Sequence, residues 1–181
     1  MKYINDRKAA QLAAFFLRRA GGKLSILKLV KLMYLADREH LIRYWSPITM
    51  DHFVSMPHGP VPTATLDLIN GMMDSKEWQK VINGREGKYV SLRDELPLDL
   101  DELSELEEET AQEIFDQFGN MTAWKLRNWT HDNCPEWQDP DGSSMPITYA
   151  DILHKVGRLE KSKAEKIAAE TEALRKAALA A

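Results

Sequence analysis

Residues 28–71 read KLVKLMYLADREHLIRYWSPITMDHFVSMPHGPVPTATLDLING. The first part carries apolar side chains around most of the circumference of a helix, which is typical of a helix buried on all sides. Ser25 can cap its start, and we expect it to run to about Trp45, because Pro47 cannot continue it. An extended segment and a His-Gly-Pro-Val turn follow, and Pro62 is well placed to open the next helix. The stretch therefore predicts a central buried helix joined to a shorter one.

The rest of the chain is predicted to be mainly helical. Apolar residues recur at helical spacing in residues 6–20, 102–118 and 122–130, and a final helix is expected to begin near residue 149. Residues 78–92 alternate around a polar turn and predict a β-hairpin. The fold class that follows is mainly α: a compact helical domain with a central buried helix and a small β-hairpin, plus a C-terminal helical extension.

The C-terminal residues differ in composition from the rest. Residues 155–181 are rich in Ala, Lys and Glu and have few large apolar side chains, so they predict a charged helical tail that follows a domain of residues 1–154. We expect this tail to be a solvated extension or to become ordered against a partner. Deletion from Ser162 onward is expected to leave the fold and the melting temperature unchanged.

Length, composition and charge set broad limits. The 181 residues, 44% of them hydrophobic, are enough for one domain with a substantial core. No apolar run approaches the roughly 18 residues of a membrane span, and residues 1–10 lack the apolar region of a secretory signal. The lone Cys134 agrees with a reducing compartment. We therefore expect a cytoplasmic protein with no membrane partner.

The charge is unevenly distributed. Residues 1–49 are basic, whereas residues 94–116 carry acids and no bases. The net charge of −4 provides no large positive field for binding phosphates, so nucleic acid is not the favoured partner.

Common catalytic and metal motifs are missing from the sequence. It contains no phosphate loop, dinucleotide fingerprint, H-E-x-x-H helix or G-x-S-x-G elbow. The best metal candidate is His131 with Cys134, joined by His58 and His40, but the lone cysteine has no Cys-x-x-Cys partner. We therefore predict no catalytic residues, no metal and no cofactor. A small hydrolase using His58 and His131 stays open as a weaker alternative.

Two sets of residues carry a resemblance to a known family. The first follows the pattern K-L-x-K-L-x-Y and then G-P-V, and comprises Lys28, Leu29, Lys31, Leu32, Tyr34, Gly59, Pro60 and Val61. The second comprises Trp129, Thr130, His131 and Trp137. Over about residues 8–153 the chain thereby resembles the Panacea domain, the SocA-like antitoxin module of toxin–antitoxin loci.

The resemblance implies a non-enzymatic antitoxin that neutralises a toxin encoded beside it by direct contact. Neutralisation would block the active site of the toxin or deliver the toxin to a protease, and a second copy of the chain stays open as a further partner. The alternative is a nucleic-acid-binding regulator that uses the basic residues 2–43 to bind its operator.

Several residues are candidates for partner binding or for the structural motif. For each candidate partner-binding residue, an ordinary structural role is the alternative. That role is local ion pairing for residues 37–40, a turn for His58 and core packing for the tryptophans. We expect Trp45, Trp124, Trp129 and Trp137 to be mostly core, and Lys28 and Lys31 to be solvated. The candidate partner-binding residues are Asp37, Arg38, His40, His58, Trp129, His131 and Trp137. The structural motif comprises Lys28, Leu32, Tyr34, Gly59, Pro60 and Val61.

Overall fold

The computed structural model describes residues 4–93 and 99–180, which form eight helices and five short strands. The helices are α1 (Asp6–Arg19), α2 (Ile26–Tyr44), α3 (Thr63–Asn70), α4 (Lys76–Val81), α5 (Glu105–Phe118), α6 (Ala123–Asn133), α7 (Tyr149–Lys155) and α8 (Lys161–Ala180). The strands are β1 (Lys23–Ser25), β2 (Phe53–Met56), β3 (Gly59–Pro62), β4 (Tyr89–Ser91) and β5 (Met145–Ile147). The predicted mainly α fold is confirmed.

Helix α2 is the centre of the core. Ser25 caps it by accepting a hydrogen bond from the backbone N–H of Lys28, as its sequence predicts. Leu29, Leu32 and Met33 are fully buried, and α1, α5, α6, α7 and β3 all pack against the helix. The prediction of a central buried helix is therefore confirmed, and α2 positions every element that surrounds it.

A three-stranded antiparallel sheet, in the order β3-β2-β5, covers one side of α2. Strands β2 and β3 form a tight hairpin in which Phe53 pairs with Pro62 and Met56 pairs with Gly59. Strand β5 adds to the outer edge of β2, where Ile147 pairs with Phe53. This third strand has only three residues, which are too few to show alternation in the sequence.

The β-hairpin predicted over residues 78–92 is formed only in part, since Ile82 pairs with Leu92 in an isolated antiparallel bridge. Lys76–Val81 is a helix, capped by the Ser75 hydroxyl, and Tyr89–Ser91 pairs instead with β1. The buried side chains of Trp78 and Ile82 are four residues apart. That spacing suits one face of a helix as well as one face of a strand, so such short alternation cannot separate the two.

Helix α8 is the predicted C-terminal helix, and part of it is buried. Ala164, Thr171 and Arg175 are buried, and they share one helical face. The Thr171 hydroxyl donates to the carbonyl oxygen of Trp45, and Nε of Arg175 donates to the carbonyl oxygen of Met50. Both contacts fall on the linker that joins α2 to β2. The division into a domain of residues 1–154 and a tail of residues 155–181 stays a prediction.

Candidate functional site

Three polar side chains lie on one face of the buried helix α2. Lys31, Tyr34 and Arg38 follow the spacing i, i+3, i+7, which brings them onto the same side of a helix. Their hydrogen bonds reach β3 and the loop that follows α6. We call these three residues the polar stripe. The residues of the family pattern meet at this face of α2.

Lys31 is completely buried, so the prediction that it is solvated is wrong. Its Nζ donates a 2.7 Å hydrogen bond to the carbonyl oxygen of Pro60. Burial lowers the pKa of Lys31 to about 7, and the nearby charge of Arg127 adds to the lowering. Lys28 is not freely solvated either, since it is half-buried and its Nζ donates to the carbonyl oxygen of Gly119.

Gly59 is the residue that lets the hairpin approach the polar stripe. Its φ is +97°, a conformation that glycine adopts far more readily than other residues. A Cβ at this position would lie 2.9 Å from Oγ1 of Thr130 and 3.1 Å from Cε of Lys31. Glycine is therefore required here both for the backbone conformation and for the close approach of three elements.

A buried ion pair joins Arg38 to Glu136, a residue in the loop after α6. Oε1 of Glu136 accepts hydrogen bonds of 2.5 Å from the hydroxyl of Tyr34 and from Nε of Arg38. The Glu136 side chain has no exposed surface. Burial raises the pKa of Tyr34 well above its ordinary value, which keeps the hydroxyl protonated as a donor. This pair fixes the loop after α6 against the central helix.

The same loop also closes over the hairpin through Trp137. Its indole Nε1 donates a 3.0 Å hydrogen bond to the carbonyl oxygen of Met56, and its ring stacks on His131 with centroids 3.7 Å apart. Burial lowers the pKa of His131, and the charges of Arg127 and Lys31 lower it further, so the imidazole is neutral at neutral pH. His131 and Trp137, paired in the predicted motif, are therefore in direct contact.

Asp37 and His40 are buried on other faces of α2 and hold the linker to β2. The Asp37 carboxylate accepts hydrogen bonds from the backbone N–H and the hydroxyl of Thr49. Burial raises the pKa of Asp37 to about 7, although the bonds from Thr49 oppose the rise. Nδ1 of His40 donates to the carbonyl oxygen of Ser46 at 2.6 Å. Residues 37–40 thus contact separate partners and do not form one cluster.

His58 is the one exposed member of the candidate partner-binding set, and it lies at the tip of the hairpin, beside the start of α6. His58 is exposed and packs edge-on against Trp124, with ring centroids 5.4 Å apart. Trp124 is 58% exposed and Trp45 is 49% exposed, so the prediction that both are core residues is wrong. Trp129 is half-buried against Phe118. His58 and Trp124 form one side of a groove of about 960 Å³.

The buried ionisable side chains described above hold the conformation of the chain. Burial raises the pKa of the Cys134 thiol to about 12, which keeps it protonated and unreactive at neutral pH. In the part of the chain that the structure describes, no three His, Cys, Asp or Glu side chains come together as metal ligands. Across residues 4–93 and 99–180, no helix combines the length and apolar character needed to cross a membrane.

A comparison with known protein families identifies the family of this chain. A family model described as the antitoxin SocA-like, Panacea domain, matches residues 29–138. The chain belongs to the Panacea domain family. The match runs from the first turn of α2 to the residue after Trp137, so the polar stripe, Gly59 and Glu136 all lie within the Panacea domain. No curated protein and no solved structure matches the chain.

Sequence reasoning missed two buried carboxylates that hold the Panacea domain together. Glu136 receives Tyr34 and Arg38, and Asp51 accepts the backbone N–H groups of Ala64 and Thr65 at the start of α3. The spacing of Lys31, Tyr34 and Arg38 could have signalled that a buried acceptor faces α2. Asp51 carried no comparable signal, because it lies 13 residues before the first N–H that it caps.

Proposed function

We propose that this Panacea domain is an antitoxin that neutralises a toxin encoded beside it by direct protein–protein contact, in the cytoplasm. The observation that carries the proposal is the family match over residues 29–138. The fold supports it, because Lys31, Tyr34 and Trp137 of the family pattern make internal hydrogen bonds that fix the hairpin and the loop after α6. A surface whose shape is fixed in this way suits rigid-body binding of a partner. Such binding involves no making or breaking of covalent bonds.

Two routes of neutralisation follow from this proposal. In the first, the bound chain covers the active site of the toxin; a stable interface of this kind buries about 800 Å² on each partner. In the second, the complex is delivered to a protease. The amount of toxin in the cell distinguishes the two routes. Under the first route the amount of toxin stays constant when both proteins are expressed. Under the second it falls unless the protease is removed.

The alternative role, a nucleic-acid-binding regulator, is disfavoured by the contacts of the basic residues. Arg7 forms ion pairs with Asp101 and Glu102, and Lys8 forms one with Glu107. The start of α1 thus faces acidic residues in the first turn of α5 and just before it, and these charges are neutralised within the chain. Operator binding that weakens steeply as salt is added would favour the regulator.

The proposed role is non-enzymatic, as the antitoxin family suggests. The hydrolase alternative needs His58 and His131 to act together, yet His58 packs on Trp124 and His131 stacks on Trp137. If the double variant His58→Ala/His131→Ala still neutralises the toxin, that alternative is excluded. Loss of neutralisation in a folded double variant that still binds the toxin would revive it.

Co-expression tests the proposed function. The neighbouring gene is placed under an inducible promoter, with or without the chain on a second promoter, and growth is followed after induction. We expect growth arrest without the chain and growth with it, and the arrest should persist when the second promoter drives a copy with an early stop codon. Arrest that persists in the presence of the full chain would contradict the proposal.

A further inference from the structure

The groove beside Trp124 is formed by five segments that are far apart in sequence. It is lined by β1 with the first turn of α2, the turn between β2 and β3, α3, the turn before β4 with β4 itself, and the start of α6. The volume is about 960 Å³. Leu27 and Leu66, both half-buried, contribute apolar surface to its lining.

Two large aromatic side chains are exposed along this groove. Trp124 is 58% exposed and Tyr89 is 49% exposed. Tryptophan and tyrosine are enriched among the residues that dominate binding energy, because each buries a large, rigid apolar surface. An apolar side chain placed between them would remove from water the surface that the fold leaves exposed.

The charged side chains that line the groove are all basic. Lys23, Arg85 and Lys88 line it, and within the described residues no carboxylate does so. Arg85 is held in place by its hydrogen bonds to Asn70 and to the carbonyl oxygen of Gly87. Lys23 also forms an exposed ion pair with Glu86, which leaves Arg85 and Lys88 as the main positive charges of the groove. An acidic partner would complement this local positive surface on a chain whose net charge is −4.

We propose that this groove is the surface that receives the toxin, and that it takes an acidic segment with a large apolar anchor residue. This inference rests on the proposed function. Single-stranded nucleic acid also binds grooves with aromatic and basic side chains, but the apolar surface of Leu27 and Leu66 in the lining suits an aliphatic or aromatic side chain of a protein. The polar stripe supports the groove, because Lys31 binds Pro60 and so fixes the hairpin that carries His58.

Isothermal titration with the purified product of the neighbouring toxin gene tests the groove. Trp124→Ala removes the exposed indole ring from the groove, and Lys88→Glu reverses one of the basic charges that line it. We expect each to weaken binding about tenfold or more, as at an energetically important contact. The matched controls are Trp45→Ala, a similarly exposed tryptophan outside the groove, and Lys76→Glu, an exposed lysine on α4. Both should bind within about twofold of the wild-type chain.

The outcomes separate failure of the groove from failure of the function. If the wild-type chain binds and Trp124→Ala and Lys88→Glu bind equally well, the groove is overturned while the antitoxin role stands. If the wild-type chain does not bind, the proposed function fails and the groove proposal fails with it. Circular dichroism and melting temperatures confirm that each variant is folded.

Two further results would assign the groove to another occupant. Binding of a single-stranded oligouridine that Trp124→Ala abolishes, with toxin binding unchanged, would make it a nucleic-acid site. A dimer of the chain that Trp124→Ala dissociates, measured by sedimentation in the absence of toxin, would make it a self-association surface. Either result overturns the proposal.

Discussion

Nζ of Lys31 donates a 2.7 Å hydrogen bond to the carbonyl oxygen of Pro60, from the centre of α2 to strand β3. The two residues belong to the two halves of the family pattern, which are 29 positions apart in sequence. The bond passes beneath Gly59, where a side chain would collide with Lys31 and Thr130. The pattern K-L-x-K-L-x-Y…G-P-V therefore describes one packed contact between a helix and a hairpin.

The buried Lys31 makes stability depend on pH. Its pKa is about 7 in the folded chain against an ordinary value of 10.5, so between pH 7 and 10.5 the unfolded chain binds more protons at this site. Its contribution to the free energy of unfolding is therefore fully present above pH 10.5 and is lost as the pH falls towards 7, by about 1.4 kcal/mol per pH unit.

Lys31→Met removes this titration. We expect the wild-type chain to gain stability relative to Lys31→Met as the pH rises from 7 to 9, measured by denaturant unfolding at each pH. Parallel pH profiles for the two proteins would show that Lys31 does not titrate with a lowered pKa.

Gly59→Ala should destabilise the chain strongly, because a Cβ is disfavoured at positive φ and would also contact Thr130 and Lys31. Gly71→Ala is the matched control, since Gly71 also has a positive φ but no neighbouring atom within 4 Å of a Cβ. We expect Gly59→Ala to lower the free energy of unfolding by about 2 kcal/mol or more, and Gly71→Ala by about 1 kcal/mol. Equal losses would mean that the close approach at Gly59 contributes nothing.

His58→Ala should be mild by comparison. The side chain is exposed and packs only against the exposed ring of Trp124 among the contacts of the described residues. We expect a change within about 0.5 kcal/mol in thermal unfolding. A loss as large as that of Gly59→Ala would show that the histidine has a structural role at the turn.

Arg38→Met should cost much more stability than Arg43→Met. The first leaves Glu136 as a buried carboxylate with no ion-pair partner, which typically costs about 3 to 5 kcal/mol. The second removes exposed pairs with Glu39 and Glu113, worth about 0 to 1 kcal/mol. Urea unfolding measures both losses. Similar values for the two variants would contradict the role of the Arg38–Glu136 pair.

The sequence predicted the helices well because their signals are local. Ser25 caps the helix that it was expected to cap, and the apolar spacing of α1 and α2 corresponds to buried faces. The helix in place of the first strand of the predicted hairpin had a local cause too, since Trp78 and Ile82 fit both a strand and a helix.

Burial of polar side chains was harder to predict. Lys31 was expected on the surface because lysine usually lies there, and its buried acceptor comes from a strand far along the chain. Trp124 was expected in the core but is exposed, and nothing in the sequence indicated that Tyr89 would line a groove. The reason is that the groove exists only once β1, β4, α3 and α6 meet. The family pattern was readable, whereas the candidate binding surface depends on tertiary structure.

Deleting α8 tests how far the C-terminal helix belongs to the domain. Its contacts with Trp45 and Met50 lead us to revise the expectation of an unchanged melting temperature. Truncation before Ser162 should preserve the helical circular dichroism of the remaining chain. It should also lower the melting temperature by about 2 to 8 °C, the equivalent of about 1 to 2 kcal/mol.

A truncated chain that is folded but no longer binds the toxin would place α8 in the interface. Collapse of the fold on truncation would show that α8 is part of the core, and would contradict the division into residues 1–154 and a tail.

Direct binding is the central claim, and titration of the purified toxin with the purified chain tests it most directly. The account predicts a saturable complex with a dissociation constant of about 1 µM or tighter, and toxin activity that disappears in proportion to complex formed. Growth rescue in cells without any measurable complex between the two purified proteins would contradict the account.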